Sequence, residues 1–544
     1  MRSLPRGLPE GRPRGARHLP RRAAASALAL LAALALSSCT SDGGEKGGSG
    51  GGTGNDNAGA PYTLRVLASS ELADMEPVLD EARKATGVTV KPTYAGTLDA
   101  VEQIASGAAE QSYDAVWLSS NDYLRLRPDT AKKITAETPI MTSPVALGLR
   151  PDKVKALGWD PAEVTWSQIH KAVAEKKLGY GMTDPARSNS GFSALVSIAS
   201  GLSGAQSALT EQDVTAATPK LKEFFGGQRL TSGSSGWLAA AWARRTDVDA
   251  LINYESVLLS TGKELTVVRP SDGVVTADYP FTLFTAAGPD AKQAAARLTA
   301  HLRTPDAQRL ITRRTLRRPV VPGVELAKPL TADQRRELPF PGSRAVADGL
   351  LDAYENKLRR PSRTVYVLDT SGSMEGERLT RLRSALAELT EDFRDRETVT
   401  LMPFGTAVKQ NEVRTYTVDP AAPKKAIGAM RAQANGLSAS GGTAIYSSLE
   451  EAYEHLGTGP EGDTFTSIVL MTDGENTDGD PAGAFDAFYR ELPPAQKRTP
   501  VFPIVFGDSD RAALDHIANL TGGRLFDATK GSLDGAFEEI RGYQ

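Results

Sequence analysis

The residues best suited to chemistry are oxygen donors in three short pieces of the C-terminal third. Asp369-Thr370-Ser371-Gly372-Ser373-Met374 directly follows an apolar run at 364–368 (TVYVL). A charged Asp at the end of a buried strand is costly unless it is paired or bound to a cation. The hydroxyls at alternate positions after it can turn toward one point. Ser440-Gly441-Gly442-Thr443 is a glycine loop opening a helix over 444–456, and Thr472-Asp473-Gly474 closes a second apolar run at 467–471 (SIVLM). Each piece places an oxygen at the carboxyl end of a strand or in an adjoining loop. A plainer reading makes DTSGS a strand-to-helix turn and Asp473 a helix cap. Asp369 and Asp473 could also form an acid/base pair, but no obvious nucleophile or matched base accompanies them, and an enzyme is not expected.

Positioning these oxygens requires a sheet. Further strands at 399–404, 501–506 and 524–526, with helices between, predict a doubly wound, Rossmann-like α/β sheet with the oxygens along its upper rim. The D-x-S-x-S run, the distant Thr and the later Asp resemble the metal-ion-dependent adhesion site of the von Willebrand factor A domain, over residues 362–544. The resemblance implies that Ser371, Ser373 and Thr443 ligate an ion through hydroxyls, with Asp369 and Asp473 acting directly or through water. Five hard oxygens suit Mg²⁺, with Ca²⁺ or Mn²⁺ as substitutes, and not zinc or copper. With two carboxylates offered, one coordination position is left for water or for an acidic side chain of a protein partner. Glu375, Glu377, Glu475, Asn476 and Asp478 read as a solvated rim that could shape partner choice.

From Tyr62, short apolar strands alternate with amphipathic helices: strands at 63–68, 87–92 and 114–118, helices at 75–86 and 99–107. That pattern predicts an α/β domain with a parallel sheet. The runs LASSELADMEPVLDEARKATGVTV, Ser143–Arg150, Trp166-Ser167, Asp184-Pro185 with Ser188–Gly191, and Asn253–Ser256 resemble periplasmic-type solute-binding proteins, particularly the oxyanion group. Pro280–Leu283 matches their return strand to lobe one. The resemblance covers residues 61–345 and implies two lobes around a cleft that holds a small solute, an oxyanion among the options, by hydroxyls and backbone N–H groups. Ser69, Ser70, Thr97, Ser119 and Ser120 follow successive strands of lobe one; Ser188, Asn189, Ser190 and Tyr254 would come from lobe two. Each alone is also an ordinary N-cap residue. The second turn, Tyr94-Ala95-Gly96-Thr97, departs from the Ser/Gly-rich turn of molybdate binders, so molybdate is not adopted. A cleft kept only as a scaffold is the alternative.

The remaining segments are address and tether. Residues 1–22 carry seven arginines, and an apolar run at 23–36 ends in Leu36-Ser37-Ser38-Cys39. The run is short for a bilayer span and right for a secretory signal; with the lone cysteine it resembles a bacterial lipobox, which implies a signal peptide over 1–38 and lipidation at Cys39. A Gly/Ser-rich stretch at 39–60 reads as a flexible tether, and 346–361 as a charged, helical connector between the two domains. The chain has 544 residues, enough for several cores, and a net charge of −3 that favours no nucleic-acid partner. One cysteine excludes an intramolecular disulfide, and the five scattered histidines argue against zinc. No Walker-type phosphate loop occurs. The expected protein sits lipid-anchored on the extracytoplasmic face of the cell membrane. There it binds a partner's acidic residue through the metal, beside a solute-binding module. The alternative is the solute receptor of an ABC-type transporter, regulated by the A domain.

Overall fold

Three sheets organise the computed structural model, which describes residues 60–261, 265–332, 336–390, 393–457, 464–505, 507, 509–529, 536–537 and 540–543. The expected signal peptide, Cys39 and all but the last residue of the tether lie outside these residues. Strands β1 (Tyr62–Ser69), β2 (Val88–Ala95), β3 (Ala115–Trp117) and β4 (Ile134–Pro139) belong to lobe one. The chain then builds lobe two with β5 (Met141–Leu149), β6 (Tyr180–Thr183), β7 (Gln228–Ser232), β8 (Ala250–Tyr254), β9 (Thr266–Val268) and β10 (Thr276–Ala277). It returns to lobe one in β11 (Pro280–Phe284) and crosses back in β12 (Arg318–Pro319). The C-terminal domain contains β13 (Ser362–Asp369), β14 (Thr398–Phe404), β15 (Arg414–Thr417), β16 (Phe465–Thr472), β17 (Val501–Val505) and β18 (Phe526–Asp527).

Lobe one is ordered β2-β1-β3-β11-β4 and lobe two β10-β5-β8-β6-β7, with β9 and β12 also paired to β5. Neither sheet is purely parallel, as the strand–helix alternation had suggested. The returning strand β11 runs antiparallel to β3 and β4, and β5 runs antiparallel to β8. Strands that cross between lobes enter from the opposite end, a constraint that local sequence does not carry. Local signals do fix the helices. Glu76–Thr86 starts with Pro77 in its first turn, buries Val78 and Ala82, and stops at Gly87 in the left-handed region (φ 70°).

The span read as a helical connector is helical, and it is packed into the core. Helix Arg344–Ala353 and a π-helical turn, Tyr354–Leu358, bury Val346, Leu350, Tyr354 and Leu358 in the apolar core of the lobes. The Tyr354 hydroxyl donates to Gln228 Oε1 at 3.1 Å.

The C-terminal sheet is ordered β15-β14-β13-β16-β17-β18, parallel except for β15. Central strand β13 is covered on both faces. Tyr366 and Leu368 enter one core, Val365 and Val367 the other. Burying each such side chain stabilises the fold by about 1.5–3 kcal/mol, and the alternation fixes the register that brings Asp369 to the rim. The last strand is shorter than 524–526 suggested. Only Phe526 and Asp527 pair with Ile504 and Val505. Gly523 presses on the backbone of Val501, where a Cβ would lie 1.8 Å from the carbonyl oxygen. Arg524 therefore precedes the strand.

The amino ends of this sheet rest on lobe two. Trp237 packs edge-on against Tyr543, with centroids 4.5 Å apart, and touches Phe502. Arg394, 7% exposed, bridges Asp184 of lobe two at 3.3 Å and Glu355 at 3.0 Å. The metal rim is at the carboxyl ends and points away from this contact.

Candidate functional site

At the rim, β13 delivers Asp369, which is 0% exposed. Its Oδ1 accepts the Ser371 N–H at 2.8 Å and its Oδ2 accepts the Thr472 hydroxyl at 2.7 Å. The Ser371 and Ser373 hydroxyls are 2.9 Å apart, and Ser373 Oγ donates to Asp473 Oδ1 at 3.0 Å. A Cβ built on Gly474 would lie 3.8 Å from both Ser373 Oγ and Thr443 Oγ1. The five residues expected to converge thus lie around one spot, although they are far apart in the chain.

The glycine loop can reach that spot only without side chains. A Cβ on Gly442 would stand 1.7 Å from Asp478 Oδ2. Thr406 Oγ1 accepts the Gly442 N–H at 2.9 Å, and Thr477 Oγ1 accepts the Thr443 N–H at 3.0 Å. Asn476, expected on a solvated rim, instead accepts the Ile445 N–H at 2.8 Å and caps helix Ile445–Leu456.

Burial pushes the Asp369 carboxyl up, and the nearby Asp473 charge adds to this; the Thr472 and Ser371 donors oppose it. Two carboxylates this close in a low-dielectric rim need a cation. Arg378 supplies one, donating to Asp473 Oδ2 at 2.5 Å. No cluster of three or more His, Cys, Asp or Glu residues able to hold a metal occurs among the described residues. The rim is a mixed set of two carboxylates and three hydroxyls, the donor chemistry of a partly hydrated Mg²⁺. Thr472, Arg378, Thr406 and Thr477 were not singled out from sequence. Thr472 is adjacent to Asp473 and was readable as part of the motif; Thr406 and Thr477 come from loops with no signature, and Arg378 from the first turn of helix Glu377–Leu389.

The solute cleft is assembled differently. Ser69 Oγ lies 3.4 Å from Thr97 Oγ1 and accepts the Ser119 N–H at 3.1 Å. Across the cleft, Asn189 Nδ2 donates to the Tyr254 hydroxyl at 2.8 Å, and Ser190 Oγ is bonded to Thr183, Ser188 and Ser235. Ser119 Oγ is buried near Glu71 and Tyr254 without a hydrogen bond of good geometry to either. Ser120 turns away, pairing with the Asp122 carboxylate at 2.8 Å and accepting its N–H at 3.1 Å. It closes a local turn just before helix Asp122–Arg125.

The departing turn also finds its reason. Gly96 lies where the lobes touch, and a Cβ there would stand 2.7 Å from the Arg187 carbonyl of lobe two. The open part of the cleft is a cavity of about 390 Å³. Lobe one contributes Ser70, Glu71 and Asp74, and lobe two contributes Ser234, Ser235 and Ser256. Arg317, 1% exposed, holds Asp74 at 2.7 Å and lies over the Tyr279 ring at 4.7 Å. Of the nine residues expected to bind solute, only Ser70 lines this cavity. Ser69, Thr97, Ser119, Ser188, Asn189, Ser190 and Tyr254 form the hydrogen-bonded walls behind it. Glu71, Asp74 and Arg317 were missed, since charged side chains were not sought in a cleft expected to work through neutral donors.

Comparison with known proteins agrees with this division. Residues 64–314 match the family of bacterial extracellular solute-binding proteins, and residues 365–539 match the von Willebrand factor type A domain. Inter-alpha-trypsin inhibitor heavy chain H4 of Homo sapiens is 30% identical over 148 residues, covering 26% of this chain and 15% of that protein. The chain therefore spans less than a fifth of that relative's length. Among solved structures, the periplasmic binding protein AfuA of Actinobacillus pleuropneumoniae aligns at 12% identity over 55% of this chain and 98% of its own, with a TM-score of 0.42. A von Willebrand factor type A structure from Catenulispora acidiphila aligns at 18% identity over 34% of this chain and 42% of its own, with a TM-score of 0.27. The chain carries a bacterial extracellular solute-binding domain followed by a von Willebrand factor A domain.

Proposed function

We propose that this is a lipid-anchored binding protein of the extracytoplasmic membrane face, whose A domain holds Mg²⁺ at the rim and through it takes an acidic side chain of a protein partner. The convergence of Asp369, Ser371, Ser373, Thr443 and Asp473 on one spot carries this reading. The ion would neutralise two carboxylates, of which Asp473 already meets Arg378, and Ca²⁺ or Mn²⁺ could replace it. The partner's carboxylate would complete the ion's coordination. The outward direction of the rim, opposite the contact with lobe two, leaves it open to a large partner.

Titration of the full chain with Mg²⁺ tests the first half: one ion is expected to bind, with loss in Asp369→Ala. The second half is tested by envelope proteins retained on the immobilised chain in Mg²⁺ and released by EDTA, with Asp473→Ala as control. Retention that survives both EDTA and Asp473→Ala would exclude a metal-bridged partner. Lipidation is tested by Cys39→Ser, which should move the protein from the membrane fraction to the soluble one. No helix among the described residues is long and apolar enough to cross a membrane.

A second reading, the solute receptor of an ABC-type transporter with the A domain as regulator, is favoured by the 390 Å³ interlobe cavity. It expects a ligand-induced rise in melting temperature.

A further inference from the structure

A hollow adjoins the metal rim. It is a cavity of about 280 Å³ between the first turn of helix Ile445–Leu456, the loop after Asp473, and the amino-terminal turns of helices Ala482–Glu491 and Arg511–Thr521. Ile445 follows Thr443 by two residues, and Glu475 follows Asp473 by two. Gly474 lines the hollow. The same glycine borders the converging oxygens, since a Cβ on it would stand 3.8 Å from Ser373 Oγ and from Thr443 Oγ1. A group seated in the hollow and a group on the ion are therefore neighbours.

The floor of the hollow is apolar: Ile445, Leu514 and Ile517 are all buried. Its lip is acidic. Glu475 is exposed and makes no hydrogen bond or ion pair among the described residues. Asp510 also lines the hollow and spends Oδ1 on the Ala512 and Ala513 N–H groups, both at 3.0 Å. Its charge still reaches the floor: burial pushes the Tyr446 hydroxyl up, and the Asp510 and Asp486 charges add to this. No Lys, Arg or His stands among the lining residues. Two bases of the adjoining helix are spent elsewhere, His516 on Asp486 at 2.9 Å and Arg511 on Asp527. Helix amino ends favour anions, but two of the three here are already answered. Asn476 takes the Ile445 N–H, and Asp510 caps its own helix.

Size and chemistry together indicate what fits. At about 280 Å³ the hollow falls just below the roughly 300–1,000 Å³ of small-molecule sites, which suits one long side chain. An apolar floor beneath an unpaired carboxylate matches lysine or arginine, whose methylene stem packs on apolar surface while the charged head stays at the wet lip. An acidic side chain there meets repulsion from Glu475 and Asp510.

Resting on the metal-bridged reading above, we propose that this hollow is a second subsite of the same docking surface: the partner's acidic side chain goes to the ion, and a lysine or arginine beside it goes into the hollow, with Glu475 as its main counter-charge and Asp510 as support. The surface then recognises two opposite charges at one separation, and acidic surfaces that lack the base are discriminated against.

The test screens the full chain in Mg²⁺ against a display library of random short peptides, keeping those that EDTA releases. They are expected to carry Asp or Glu together with Lys or Arg at a preferred spacing. In titrations of one such peptide, replacing its base by Gln should weaken binding about tenfold, the range for a charged hydrogen bond. Glu475→Gln should weaken the base-bearing peptide by the same factor and leave its Gln version within about twofold, as a double-mutant cycle requires. Asp510→Asn keeps an oxygen cap on the helix and should weaken the base-bearing peptide less. Glu475→Lys should switch the preference to a second acidic residue. Melting curves and Mg²⁺ titrations verify that each variant folds and holds the ion. Released peptides with an acid and no preference for a base, or a preference that Glu475→Gln leaves intact, would overturn the second subsite while the metal-bridged reading stands. A screen that returns no acidic peptide released by EDTA would overturn both.

Discussion

The metal rim and the solute cleft both form at carboxyl ends of strands, yet they are built in opposite ways. The rim draws five donors from three loops of one sheet, and each donor sits in a short motif. The cleft draws on two sheets that exchange strands, on crossover segments, and on Arg524 of the separate A domain, which lines the cavity. A site confined to one sheet is written in local runs of residues. A site made where separate bodies meet is written only in how they pack.

The largest expected effect tests whether the two regions are one body. Replacing Arg394 by Ala leaves Asp184 without its buried cation and is expected to cost about 3–5 kcal/mol. Chemical denaturation of the full chain should show it as an earlier transition, or as one that splits in two. An unchanged transition would mean that this ion pair does not couple the domains. Next is Asp369→Ala, expected to reduce Mg²⁺ affinity about a hundredfold, near 2.7 kcal/mol, while the melting temperature without metal holds or rises because a buried charge is gone. Titration calorimetry and melting curves in EDTA measure the two effects.

A pH experiment separates the rim from the crossover region. Burial, with Asp122 adding to it, pushes the Asp278 carboxyl up to about 6. A carboxyl whose pKa rises on folding stabilises the native state fully below its unfolded value, about 4, and loses that contribution as pH climbs through 6. Asp278→Asn should therefore raise the melting temperature at pH 7.5 and leave it nearly unchanged at pH 3.5. A gain that is equal at both pH values would rule out the carboxyl as its source. The smallest effect expected is that of Ser120→Ala: loss of a local turn hydrogen bond worth about 0.5–1.5 kcal/mol, read as a small fall in melting temperature, with solute affinity unchanged.

What was legible in the sequence follows the same division. DTSGS and TDG each end an apolar run and GGT opens a helix, so residue type and position reinforce each other, and the architecture of the A domain could be read with them. In the lobes, successive Ser and Thr residues after strands were visible, but their hydroxyls are mostly spent on each other and on backbone groups. Glu71 and Asp74 fall between the strand read at 63–68 and the helix read at 75–86, in a stretch assigned to neither. Arg317 and Arg524 lie far from the cleft in sequence, and no periodicity links them to it. The antiparallel entry of β11 was invisible for a related reason: strand direction depends on where the chain has been.

The central strand of the A domain has a mechanical consequence. β13 is hydrogen-bonded along its length to parallel neighbours on both sides, with Asp369 at one end and Ser362 at the end nearest lobe two. A pull applied at Asp369 and resisted at the base loads those bonds in shear, along the strand. They must break together, whereas a zipper opens one bond at a time, so tension on the rim reaches the lower domain before the strand gives way.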